Sequence, residues 1–457
     1  MPTGSTKSRI RSREGVMGKD GKDGSESDTP APGLTQFTRR SLLKSAAAVS
    51  PAAILPSGFT GVIFSGPSIS ETKPSPSRSQ TPTQNPPWYG FNLLEYFSTD
   101  PDWMKYFPYK NDGMFLESDF RWIRDWGFNW VRLPMDYRFW TGSDLFTIDE
   151  KQIEPIDRAI RLGEKYGVHV NISLHRAPGF CILDGLDPIV TGIHVTPEKT
   201  SFYKDRAALE AFVHQWTFFA QRYKGISNEL VSFNLVNEPL LPLTSEERTQ
   251  LMERRKSEPQ GAIDQEMKVQ GAEEYARVAR AAIEGIRAVD SQRLIVSDGS
   301  SGGVTLVAGL FSTGVMQSPH DYYPADLTHH QCEWARGWAT RIEPPTWPLK
   351  DSQGKVTADR KTIEDFVRPW RGLEQQHISI HFGEMGCYKH TPPEVVLAWF
   401  DDTLDTLGEL NSGWALWNFR GPFGVLDTER PGTKFEDWQG HKLDRPLLTL
   451  LQKKMRA

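Results

Sequence analysis

A (β/α)8 barrel of the TIM type, in the α/β class, is the fold this 457-residue sequence predicts. Three observations carry the prediction. From Trp88 onward, eight short apolar runs alternate with amphipathic segments, and parallel strands need such helical crossovers to bring the chain back to the same end of a sheet. The amphipathic segments have the helical period: in 205–222, Leu209, Phe212, Val213, Trp216, Phe219 and Ala220 fall on one face. No G-x-G-x-x-G follows the first apolar run, which disfavours an open dinucleotide-binding sheet.

The elements follow in order. Strands are expected at 89–93, 128–133, 168–174, 230–236, 294–297, 314–317, 378–382 and 413–417. Helices are expected at 117–126, 150–166, 205–222, 272–289, a short 304–311, 361–375, 392–407 and 444–454. Two connections are long, 240–271 after the fourth strand and 322–360 after the sixth. In a barrel both lie on the face that carries the strands' C-terminal ends, where sites are built.

The N-terminal 87 residues differ in kind. They hold 11 Lys and Arg against 6 Asp and Glu, whereas the remainder holds 42 against 52. Residues 1–37 are polar and read as disordered. Then Thr38-Arg39-Arg40-Ser41-Leu42-Leu43-Lys44 precedes a mildly apolar, Ala-rich stretch at 45–66, the pattern of a twin-arginine export signal. Pro51, Pro56, Gly58 and Gly61 interrupt that stretch, which falls short of the roughly 18 unbroken apolar residues a membrane span needs. Residues 67–87 are rich in Pro, Ser and Thr and read as an extended linker. The expected organisation is therefore a disordered region with signal at 1–66, a linker at 67–87 and a catalytic domain at 88–457. The expected location is periplasmic or extracellular.

Composition narrows the function. An acidic body without a basic stripe argues against nucleic acid as partner. A mean hydropathy of -0.50 argues against a membrane bundle, and no stable span is expected after signal cleavage. Three cysteines (Cys181, Cys332, Cys387) without CxxC spacing make no disulfide framework, and buried thiols are expected.

The chemistry-bearing residues cluster at the strands' C-terminal ends. The fourth run closes in Asn237-Glu238-Pro239, and the seventh is followed by Gly383-Glu384-Met385-Gly386. One Glu in such a place is ordinarily a solvated loop carboxylate. Two on one barrel face are the equipment of glycoside hydrolysis, one protonated to supply the leaving oxygen and one ionised to attack the anomeric carbon. Arg132, closing the second strand, would hold Glu384 ionised, since a guanidinium does not lose its proton. His175, and His320 with Tyr322, are expected just past strand ends. Trp417 offers a flat face for a sugar ring, while Trp414 reads as core. Trp334, Trp338 and Trp347, in the long sixth connection, are expected to line outer sugar sites.

Taken together, Val131-Arg132, Leu174-His175, Asn237-Glu238-Pro239, His320 with Tyr322, Glu384 and Trp417, in that order on successive strands, resemble glycoside hydrolase family 5, the cellulase-like branch of the retaining barrel glycosidases. The resemblance runs from about Trp88 to the C-terminus. It implies that Glu238 is the general acid/base and Glu384 the nucleophile. It also implies that Asn237 bonds the sugar 2-hydroxyl, that His320 and Tyr322 orient the carboxylates, and that Arg132 and His175 support the site. His175-Arg176-Ala177-Pro178-Gly179-Phe180-Cys181 lacks the Gln-Asn that some exo-glucanase relatives carry, and Gly421-Pro422-Phe423-Gly424-Val425-Leu426-Asp427 is fuller than in simple endoglucanases. The expected substrate is a β-linked polysaccharide or oligosaccharide, cellulose or another β-glucan, with β-mannan as the alternative. Two carboxylates and water suffice for this chemistry, so no cofactor and no metal are implied, and the chain is taken as a monomer.

Two other classes compete. Gly299-Ser300-Ser301-Gly302-Gly303 matches a G-x-S-x-G elbow, which raises a serine esterase with Ser301, Asp321 and His381, although no Gly-rich oxyanion segment lies upstream. A non-catalytic sugar-binding barrel would keep the tryptophans but has no need of the two glutamates. His329-His330-x-Cys332 matches no zinc spacing.

Overall fold

The computed structural model describes residues 87–107, 113–185, 188–241, 243–337 and 339–455. The signal and the linker at 67–86, as well as Trp338, lie outside the described residues. Eight barrel strands follow in chain order: β1 (Tyr89–Asn92), β2 (Trp130–Asp136), β3 (His169–Ala177), β4 (Val231–Asn234), β5 (Ile295–Asp298), β6 (Met316–Ser318, continued by His320–Asp321), β7 (His381–Met385) and β8 (Gly413–Leu416). Every pairing around the ring is parallel. Asn92 sits beside Arg132, Ser173 beside Asn234, Asp298 beside Ser318, Glu384 beside His320 and Phe91 beside Leu416. A parallel bridge between Gln317 and Ile380 completes the junction of β6 and β7. A short strand, Phe180–Cys181, folds back antiparallel on β3.

The helices that cover the ring from outside are α1 (Glu117–Asp125), α2 (Glu154–Tyr166), α3 (Arg206–Arg222), α4 (Gln260–Val289), α5 (Arg360–Val367), α6 (Pro393–Gly408) and α7 (Arg445–Lys454). The short helix expected after β5 is a 3-10 turn at Ala308–Thr313. Local chemistry sets several boundaries. α2 begins with Pro155 in its first turn and stops at Gly167, whose φ of 65° is costly for a side-chain-bearing residue. α7 starts where Asp444 accepts the Leu447 N–H at 3.1 Å. The helix expected at 361–375 ends early because Pro369 and Gly372 break it into a 3-10 turn, Arg368–Trp370.

The apolar core is the layer between ring and helices. Val131, Leu133, Val170, Ile172, Val231, Phe233 and Leu235 are fully buried there, with Trp216 of α3 and Ile283 of α4 packed from outside. Inward-facing positions along the barrel axis are polar instead: Asn92, Arg132, Asn171, Asn234, Asp298, His320 and Glu384 are all buried. Among the described residues no helix is long and apolar enough to cross a membrane.

The main correction to the sequence reading is strand length. β2 continues past Pro134 to Asp136, whose N–H bonds Tyr96 O at 2.8 Å, because the N–H that proline lacks is only one bond in a ladder supported on both sides. β3 likewise runs to Ala177, β6 to Asp321 and β7 to Met385. His175, His320 and Glu384 therefore sit within strands rather than beyond them, and Arg132 lies mid-strand rather than at the strand's end. The connection at 240–271 is also mostly helical: it holds Ser245–Ser257, opened by a Thr244–Glu247 capping box, and the first turns of α4.

Candidate active site

Arg132 organises the site. It is 1% exposed, and each of its polar nitrogens faces acceptors on other strands. Nε donates to Asn234 Oδ1 at 2.8 Å. Nη1 donates to Asn92 Oδ1 at 3.0 Å and Glu384 Oε1 at 2.6 Å, and Nη2 to Asn237 Oδ1 at 2.9 Å and Asp298 Oδ2 at 3.4 Å. A fork with five N–H groups thus meets five acceptors carried by β1, β4, β5, β7 and the end of β4.

Glu384 is aimed inward by a departure from strand alternation. His381 faces the barrel axis, so strict alternation would turn residue 384 outward. The register of β7 against β8 shifts between Phe382 and Met385, and this restores the inward direction. Gly383 makes room for the crossing strand: a Cβ there would lie 2.5 Å from Ser318 Oγ and 3.3 Å from His320 Nε2. Glu384 Oε2 accepts the Tyr322 hydroxyl at 3.1 Å.

Glu238 follows β4 with φ at 45°, a left-handed conformation that is strained for a residue with a Cβ. Its N–H donates to Asp298 Oδ2 at 3.2 Å, so a buried carboxylate helps hold that turn. Its Oε1 lies 3.0 Å from His320 Nδ1, and the same nitrogen is 3.6 Å from Glu384 Oε2. Glu238 and Glu384 therefore converge on one imidazole, with a carboxylate oxygen of each and that nitrogen all within 4.8 Å of one another. Among the described residues no other group of three or more His, Cys, Asp or Glu side chains gathers closely enough to hold an ion; His329, His330 and Cys332 form no such cluster.

The charge states follow from this packing. Burial alone would lower the pKa of His320, but Asp298 and Glu384 outweigh it and raise the value to about 10, so His320 is an imidazolium at neutral pH. Its Nε2 lies 3.1 Å from Asp298 Oδ2, an ion-pair contact whose angle falls short of a good hydrogen bond. Burial would raise Asp298, yet His320 and Arg132 hold it well below the usual carboxylate range. Burial raises Glu384, His320 and Arg132 pull it down, and the charge of Glu238 adds to the rise. Burial prevails, so the Glu384 carboxyl lies above its ordinary value.

His175 is buried under Phe97, with ring centroids 4.5 Å apart, and beside Trp417 at 5.9 Å. Burial, with Arg132 and His320 nearby, keeps it neutral. Trp417 follows β8 and is 6% exposed. Of the three tryptophans expected on outer sites, Trp334 is instead packed in an aromatic cluster with Trp103, Phe107 and Tyr388. Trp347 is half-buried and donates Nε1–H to Asp402 at 2.8 Å. Cys181, Cys332 and Cys387 are buried free thiols.

The esterase constellation does not form. His381 opens β7 at the opposite end of the barrel, tilted against Trp130 with ring centroids 4.4 Å apart and bonded to Trp88 O, whereas Ser301 follows the C-terminal end of β5. Asn92, Asn234 and Asp298 belong to the site and escaped the sequence reading. Asp298 carried the same signal as the glutamates, a carboxylate closing an apolar run.

A sequence profile described as cellulase (glycosyl hydrolase family 5) matches residues 83–421. The chain belongs to glycoside hydrolase family 5. Endoglucanase C of Acetivibrio thermocellus is 21% identical over 332 residues, covering 68% of this chain and 85% of that protein. Cellodextrinase A of Ruminococcus flavefaciens is 32% identical over 139 residues, 30% of this chain and 38% of its own. Among solved structures, a glycoside hydrolase superposes with a TM-score of 0.65 at 34% identity, covering 80% of this chain and 99% of that one. An endoglucanase from Thermotoga maritima superposes at 0.55 with 20% identity over 80% and 96%, a likeness of fold.

Proposed function

We propose that this glycosidase cleaves a β-linked glucan or its oligosaccharides by double displacement with retention, Glu384 acting as nucleophile and Glu238 as acid/base. β-Mannan is the second candidate. The observation that carries the reading is the shared imidazole, which keeps the two carboxylates close: the 4.8 Å limit on their oxygens supports the roughly 5–5.5 Å carboxyl separation of retaining enzymes over the ~6.5–9.5 Å of inverting ones.

The roles follow from the partners. Glu384 accepts from Arg132 and Tyr322, and donors of that kind favour the ionised form. Glu384 is thereby the nucleophile, and Glu238, whose side chain is more open, 16% exposed against 5%, is the acid placed to reach the leaving oxygen. In the first half-reaction Glu384 bonds to the anomeric carbon as the C–O bond breaks, and Glu238 protonates the departing oxygen. In the second, Glu238 takes a proton from water, which attacks the same carbon and frees Glu384. Asn237, fixed by Arg132, would bond the sugar 2-hydroxyl, and Trp417 with His175 would border the sugar. The names of the relatives, endoglucanase and cellodextrinase, support a β-glucan substrate.

A 2-deoxy-2-fluoro aryl β-glucoside should leave a sugar on the peptide bearing Glu384, and proton NMR should show the β-anomer formed first. A first-formed α-anomer would overturn retention. Replacing Glu238 by Ala should cost little with activated leaving groups and about 10²-fold or more with unactivated ones; equal losses would remove its acid role. We also infer a monomer exported through Arg39-Arg40 and tethered by 67–87, so R39K/R40K should abolish export of a fused reporter.

A further inference from the structure

The two ends of the cleft are built differently. In a double displacement the leaving group departs on the side of the proton donor, and the sugar kept by the nucleophile extends the other way. Glu238 follows β4, and in an eight-strand ring β8 stands diametrically opposite. The retained sugar therefore points toward β8 and β1.

That side is walled. Trp417, after β8, packs on Phe97 at 5.4 Å and Phe107 at 6.3 Å, both from the connection after β1. Trp334, from the connection after β6, closes against Trp103 at 5.0 Å and Phe107 at 5.7 Å. All five rings are less than a tenth exposed. The connection after β3 completes the rim: the His194 and Thr196 N–H groups donate to Asp102 Oδ2 at 3.4 Å and Asp100 Oδ1 at 3.1 Å, and Pro188–Thr191 packs against Glu333–Ala335. The connections after β1, β3 and β6 thus form one continuous ridge over the β8–β1 side.

The ridge is also anchored. Arg176 holds Glu198 at 2.7 Å and Asp184 at 3.1 Å, and Glu198 accepts the Gly179 N–H at 3.2 Å and the Tyr137 hydroxyl at 3.0 Å. Charge-assisted bonds centred on the buried Arg176 fix this connection in place rather than leaving it to swing.

We propose that this ridge is a dead end for the retained sugar, so that the enzyme removes short units from the non-reducing ends of β-linked chains instead of cutting within them. The proposal rests on the assignment of Glu238 as acid, which sets the direction of the cleft. It is tested on aryl β-cellotrioside and aryl β-mannotrioside, each with its terminal 4- and 6-hydroxyls either free or blocked as a ketal. The free form should turn over at least a hundredfold faster than the blocked form. Comparable rates would overturn the dead end while leaving the glycosidase reading standing, and no turnover of either form would overturn both. In a folded Trp334→Ala variant, checked by thermal melting, the ratio of blocked to free turnover should rise at least tenfold. An unchanged ratio in that variant would remove Trp334 from the wall.

Discussion

Buried histidines occupy both ends of the barrel axis, and their surroundings give them opposite charge. At the mouth, His320 stands among Asp298, Glu238 and Glu384, and its pKa rises to about 10. At the closed end, His169 lies flat on Trp130 at 4.3 Å, with His381 tilted against the same ring. Their polar contacts there are to backbone carbonyls and the Ser232 hydroxyl. Burial drives both down to about 3, so they are neutral. Equal burial thus yields a cation where carboxylates line the wall and a neutral ring where indoles do. Solvent exclusion amplifies whatever the neighbours dictate.

The contrast can be broken at several points. The largest effect belongs to Glu384→Gln, which should lower kcat by roughly 10⁴-fold or more while far-UV and thermal measurements report an intact barrel. Wild-type turnover of an aryl β-glycoside by that variant would remove Glu384 from the chemistry. Next comes Asp298→Asn. Without that charge His320 should titrate closer to the ordinary 6.5, so the alkaline limb of the kcat profile should move to lower pH, with a loss of about tenfold or more at neutrality. An unmoved limb would show that His320 does not depend on Asp298.

The smallest effect concerns stability and has opposite signs at the two ends. His320 binds its proton more tightly folded than unfolded, so its contribution is complete below about pH 6.5 and is lost as pH rises toward 10. His169 and His381 resist protonation when folded, so their contribution is complete above 6.5 and is lost as pH falls toward 3. His381→Gln should therefore cost about 1 kcal/mol at neutral pH, from the lost bond to Trp88 O, and should soften the fall in melting temperature on acidification, with kcat unchanged. An unsoftened acid limb would disconnect that ring from acid sensitivity.

How far the sequence reached follows the same division. Apolar alternation with helical period located all eight strands, because that signal records burial against the outer helices. It stopped short at Leu133, Leu174 and Phe382, where the strands continue through polar residues facing the axis. A residue such as Arg132 reads as a terminator when its partners, Asn92, Asn234 and Asp298, lie far away in the chain. The carboxylates were found through their place after apolar runs, and Asp298 was overlooked only because its role comes from pairing. Trp334 was misjudged for the opposite reason: a long connection reads as exposed until its neighbours fold over it.

Arg132 spends all its N–H groups on acceptors drawn from four strands, and that has a practical side for anyone re-targeting this scaffold. Removing either carboxylate partner strands a buried cation, at a cost of about 3–5 kcal/mol for a broken ion pair, and removing an Asn acceptor costs about 1.5–3 kcal/mol for a lost bond to a charged donor. The reactive hub is therefore best inherited whole. The segments crossing its rim share few of those bonds, so new sugar preferences should be obtainable by grafting loops onto an untouched centre.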